Sequence, residues 1–126
     1  MKTSKNYRRL TSSAGIIGLL LLALSASANT ARIFVLTADE WARPRNGAVI
    51  AEFSALRAAV SYWDRVDDAL IVIRHPGEDS GELWASELRD WLISLGVPSD
   101  YIRLVAGSQA ADEIRLLVGD RNELEQ

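Results

Sequence analysis

Cysteine is absent from this chain, histidine and methionine occur once each, and lysine stops at position 5. Without cysteine there is no disulfide, no thiolate nucleophile and no cysteine-based metal site. A single histidine excludes any mechanism or metal set that needs two. Four of the 14 cations and none of the 17 acids lie in residues 1–28, so residues 29–126 carry ten arginines against 17 acids, a net charge of −7. That balance is a poor match for nucleic acid or anionic lipid, which reward cations. The all-arginine usage offers planar forks suited to carboxylates and phosphates, but a GC-rich genome is the preferred explanation for it.

What is present begins with a leader. Lys2, Lys5, Arg8 and Arg9 make a basic start, an apolar run extends from Ala14 to Leu24, and Ala26-Ser27-Ala28 supplies a small-x-small site. The pattern predicts a secretory signal peptide over residues 1–28, cleaved near Ala28-Asn29. The run is short for a membrane span of about 20 residues, so no membrane span is expected after cleavage. The Arg8-Arg9 pair suggests twin-arginine export, but Leu10-Thr11-Ser12 fits that motif poorly and the ordinary secretory route is preferred. The remaining 29–126 are expected to form one small domain, periplasmic or secreted, stabilised by packing alone.

Arg32 to Thr37 is short, β-branched and aromatic, and reads as a strand. Residues 38–49 hold turn formers without a clean period and read as a loop. Ile50, Phe53, Leu56, Val60 and Trp63 recur at helical spacing, with Glu52, Arg57 and Asp64 off the stripe. Ala69 to Ile73 is a continuous apolar run, as expected of a central strand buried on both faces, and Pro76-Gly77 opens a loop to Gly81. Trp84, Leu88, Trp91, Leu92 and Leu95 share the face of a second helix, which Gly96 and Pro98 stop. Tyr101 to Val105 and Glu113 to Val118 read as two more strands, and the tail from Asp120 as polar and frayed. The order β-α-β-α-β-β predicts an α/β (α+β) sandwich in which two helices pack on one mixed sheet.

Parallel first and second strands would send the loops 38–49 and 74–81 to one edge of the sheet, where open α/β sheets bind ligands. This singles out Trp41, Arg43, Arg45, Arg74, His75 and Asp79 as candidate ligand-binding residues. The ring would stack on a sugar and the guanidinium groups fork a carboxylate. The alternative is that Trp41 folds back over the core edge and the charges are simply solvated. His75 at a strand end is either a general base, paired with Asp79 or Glu78, or a residue that caps backbone groups. Arg74-His75-Pro76-Gly77 resembles the Arg-His-Gly signature of histidine phosphatases, but Pro76 interrupts it and the second histidine of that chemistry is missing. Asp67-Asp68 and Glu78-Asp79 lack calcium-loop spacing; no metal and no cofactor are expected. Trp84 and Trp91 align with Leu88 and Leu95, which predicts core packing over a sugar platform.

The element order, together with Trp91-Leu92-Ile93-Ser94-Leu95-Gly96-Val97-Pro98 leading into Tyr101-Ile102, resembles the OmpA-like C-terminal domain family across residues 32–119. His75, just after the central strand, is similar in place to the histidine of that family's Gly-His-Thr-Asp turn. The resemblance implies the family's fold and a peptidoglycan-binding role, which its members perform with an Asp and an Arg. Here Gly77 stands where the Asp is expected and Trp84 where the Arg is expected, so that pair does not carry over.

The expected function is a non-catalytic binding or accessory module of the bacterial cell envelope, acting through the 38–49 and 74–81 loops on an envelope protein or a cell-wall component. The alternatives are an OmpA-like wall binder with an altered site and a small hydrolase using His75. The sequence leaves the oligomeric state open.

Overall fold

A computed structural model of the chain describes residues 30–126. The expected leader lies outside the described residues. β1 (Arg32–Thr37) leads into two short helices, α1 (Ala38–Trp41) and α2 (Gly47–Glu52), and then α3 (Ser54–Arg65). β2 (Ala69–His75), α4 (Asp79–Ser94), a 3-10 turn (Ser99–Tyr101), β3 (Ile102–Ala106), β4 (Glu113–Asp120) and α5 (Arg121–Leu124) complete the order.

The strands form one mixed sheet in the order β1-β4-β2-β3. β4 runs antiparallel to both β1 and β2, while β3 runs parallel to β2. β1 and β2 are therefore parallel to each other, as expected, with β4 inserted between them. The α/β sandwich is the architecture observed: α3 and α4 cover one face of the sheet.

Alternation along each strand selects that face. Leu36, Ile71, Ile73, Ile114, Leu116 and Val118 are fully buried and join Leu56, Ala59 and Tyr62 of α3 and Ala85, Leu88 and Leu92 of α4 in one core. Trp84 and Trp91 pack against it as their spacing predicts. At the end of α4, Gly96 adopts φ 105°, and the amides of Gly96 and Val97 return to the carbonyls of Ile93 (3.0 Å) and Leu92 (3.1 Å). This glycine cap closes the helix where the sequence placed its stop.

Three local expectations are corrected. Residues 38–49 are not a featureless loop: Thr37 accepts from the Glu40 amide while the Glu40 carboxylate accepts from the Thr37 amide (3.0 Å), a capping box that starts α1. Asn46 caps α2 through the Val49 amide (3.0 Å). The predicted single helix from Ile50 is broken at Phe53, whose ψ of 114° is extended. The tail is not frayed. Asp120 caps α5, Arg121 reaches Asp68 (3.2 Å), and Glu123 accepts the Ala31 amide (3.2 Å).

Candidate functional site

Of the six residues expected at the sheet edge, the structure stacks Arg45 on Trp41 and sets Arg74 and His75 on opposite faces of β2. Trp41 is 8% exposed and packs beside Phe53 and Trp84, with ring centroids 6.4 and 6.1 Å away. Arg45 lies over the Trp41 ring at 4.6 Å and forks onto the Glu87 carboxylate of α4 at 2.7 and 3.1 Å. Its guanidinium also donates to the Trp41 carbonyl. The aromatic and one arginine of the expected site are thus committed to holding the α1–α2 segment against α4. Arg43 is exposed in the turn after α1. Arg74 and His75 are neighbours on β2 and so point to opposite faces of the sheet. Arg74 is exposed on the open face, and Asp79 stands on the first turn of α4.

His75 is 6% exposed, and its Nδ1 lies 2.7 Å from the Pro76 carbonyl oxygen. A carbonyl only accepts, so that nitrogen carries the proton. The ring makes no ion pair with Glu78 or Asp79, the partners a general base would need. Its own carbonyl accepts the amides of Gly107 (2.9 Å) and Ser108 (3.0 Å). These contacts are those of a residue that ends a strand.

A different concavity lies away from that edge. It is a groove of about 550 Å³ between α3 and the C-terminal turn of α4. Val60, Trp63 and Leu95 supply its apolar surface, and Arg57, Ser61 and Asp64 its polar groups. The last three follow one another at four and three residues, which places them on one helix face. Trp63 is fixed from two sides: its Nε1 donates to the Ala69 carbonyl (2.9 Å), and its ring meets Tyr101 edge-on at 5.7 Å. With the N–H already used, Trp63 presents the groove with a rigid apolar wall.

Neither Arg57 nor Asp64 forms a side-chain hydrogen bond or ion pair among the described residues, unlike Arg45, Arg103, Arg115 and Arg121. Their backbone positions, seven residues apart, are separated by about 10 Å along the helix. The groove therefore offers a cation, a hydroxyl and an anion in line above an apolar floor. Sequence reasoning placed Arg57 and Asp64 off the apolar stripe and went no further. Their spacing was visible, but a solvated helix face has the same pattern.

Elsewhere, the Trp84 Nε1 is buried without a hydrogen-bond partner among the described residues. Among those residues no group of three or more His, Asp or Glu side chains is arranged to hold a metal ion, and no helix is long and apolar enough to cross a membrane. Comparison with protein-family models, with curated proteins and with solved structures finds no match.

Proposed function

We propose that the chain is a small non-catalytic binding module exported to the bacterial cell envelope, and that its ligand lies in the groove between α3 and the end of α4. One observation carries this reading: a pinned aromatic wall, Trp63, stands beside two opposite charges, Arg57 and Asp64, that form no side-chain hydrogen bond or ion pair among the described residues. Ligand sites combine an apolar lining with a few convergent polar groups in clefts of roughly 300–1,000 Å³, and this groove has both properties. It suits a ligand with apolar surface and several hydrogen-bonding groups, as the sugar and short-peptide components of a cell wall have. Binding is favoured over catalysis because the sole histidine is buried with its Nδ1 on the Pro76 carbonyl and pairs with no carboxylate among the described residues.

Export rests on the basic start, apolar run and small-x-small site of residues 1–28. A second reading, an OmpA-like wall binder with an altered site, is favoured by the observed β-α-β-α-β-β order of the main elements. Both readings meet in one experiment, co-sedimentation of the exported chain with insoluble peptidoglycan. The wild type is expected to pellet and an Arg57→Ala/Asp64→Ala variant to stay in solution. Loss of pelleting in Arg43→Ala instead would return the site to the loop edge. A wild type that never pellets removes the cell wall as the ligand.

A further inference from the structure

Five large apolar side chains stand exposed among the described residues, and they divide between two surfaces on opposite sides of the molecule. Ile33 (57%), Val35 (41%) and Val105 (40%) lie on the sheet face that α3 and α4 leave open; Leu83 (72%) and Ile93 (40%) lie on the outer side of α4.

The open sheet face is weakly cationic: it carries Arg74, Arg103 and Arg115, of which the last two are paired with acids. Register aligns Ile33, Leu117, Val72 and Arg103 across the four strands, and Val35, Arg115, Arg74 and Val105 beside them. Leu70 and Val72 on this face are buried where α5 lies against β2 and β4, so the exposed part is the Val35–Arg115–Arg74–Val105 row together with Ile33. Arg74 and Arg115 are direct cross-strand partners, an arrangement that like charges make unfavourable. Arg115 turns to Glu113 at 2.8 Å, and Arg103 to Glu125 of α5 at 3.3 Å. Arg74 has no ionic partner among the described residues.

The outer side of α4 is anionic. At about 100° per residue, Asp79, Glu82, Leu83, Asp90 and Ile93 fall on one stripe, opposite the buried Ala85, Leu88 and Leu92. Arg89 at its margin is held by Asp90 at 3.6 Å. Each surface therefore has what the other lacks: exposed apolar groups among arginines, and exposed apolar groups among carboxylates.

We propose that copies of this chain associate head-to-tail, the outer face of α4 in one copy lying on the open sheet face of the next. Within one molecule the two surfaces cannot meet, because α4 covers the other side of the sheet. The dimensions suit a single helix as a third layer: α4 is about 24 Å long, and the outer strands are about 14 Å apart. A sheet-to-sheet dimer would instead set Arg74 and Arg115 against their own copies, which like-charge repulsion opposes. The contact is heterologous, so a pair of copies still ends in one free surface of each kind and association continues into rows. Part of the attraction is between exposed charges, and added salt weakens it.

Sedimentation velocity over rising concentrations of the protein as isolated from its host tests this, with two variants that each spoil one surface. Val35→Asp places an acid on the sheet face, and Leu83→Ser/Ile93→Ser strips the helix face; circular dichroism confirms that both remain folded. The wild type is expected to grow in size with concentration and each variant to remain monomeric. An equimolar mixture of the two variants is expected to form a 1:1 complex and nothing larger, since it contains one intact surface of each kind. A wild type that stays monomeric overturns the proposal. So does a helix-face variant that still dimerises, which would reveal sheet-to-sheet pairing. Flotation of the wild type with phosphatidylglycerol vesicles, lost in Val35→Asp, would assign the sheet face to a membrane and overturn it as well.

Discussion

Arg45 stacks 4.6 Å above the Trp41 ring and ties it to Glu87 on α4, so two of the residues that read as a binding site clamp their segment to the helix. The arginine covers an aromatic that is already buried, and its ionic partner is more exposed than the arginine itself. Losing the cover therefore matters more than losing the charge. Arg45→Ala is expected to destabilise the fold by about 1–2 kcal/mol, combining a cation–π contact with lost packing. Glu87→Ala is expected to cost less than about 1 kcal/mol, the range of solvent-accessible pairs. Urea unfolding of both variants checks the order.

Gly81 and Gly77 flank the start of α4 and differ in what a side chain would meet. A Cβ at Gly81 would collide with the Pro76 carbonyl, whereas at Gly77 nothing lies within 4 Å. Gly81→Ala is expected to cost about 1–3 kcal/mol, as overpacking does. Gly77→Ala is expected to be neutral or to stabilise by up to about 1 kcal/mol, by restricting the unfolded chain. Thermal melts of the two variants should move in different directions or by clearly different amounts.

Asp68 turns the chain into β2 with φ 48° and also anchors α5 through Arg121 at 3.2 Å. Its hydrogen bond holds the Arg121 guanidinium above its ordinary pKa. Asn tolerates the left-handed backbone but removes the charge, while a β-branched residue loses both. Asp68→Asn is thus expected to speed amide exchange in α5 and leave β2 protected. Asp68→Val should lower stability by a further ~1 kcal/mol or more, the scale of backbone strain at such a position. Hydrogen exchange and urea unfolding separate the two effects.

The main elements were legible because their patterns are dense. Ala69 to Ile73 has only the length and composition of a buried strand, and the stripe from Trp84 to Leu95 ends at a glycine that the helix cap requires. Residues 38–41 carried a readable signal, the Thr37-Ala38-Asp39-Glu40 capping box, which the turn formers around it obscured. The break at Phe53 involves neither proline nor glycine and follows the apolar period on both sides, so nothing local announces it. α5 depends on Asp68 and Ala31, partners 53 and 92 residues away in the chain, and no window of sequence contains them. The groove was hidden for a similar reason. Arg57 and Asp64 become distinctive only when Trp63 and Leu95 close around them, and that requires the packing of α3 beside α4.

If the two groove charges serve a ligand and not the fold, their removal should leave stability within about 0.5 kcal/mol, as for other surface substitutions. A larger loss on urea unfolding of Arg57→Ala/Asp64→Ala would assign them a structural role.

The most direct measurement follows the Trp63 indole N–H by 1H–15N NMR while soluble peptidoglycan fragments are titrated into the protein. Its hydrogen bond to Ala69 makes it a sharp reporter at the wall of the groove. A saturable shift at Trp63 and at the amides of Ser61 and Gly96, lost in Arg57→Ala/Asp64→Ala, is the result this account predicts. Shifts confined to the Arg43 turn and the end of β2, with Trp63 unmoved, would contradict it.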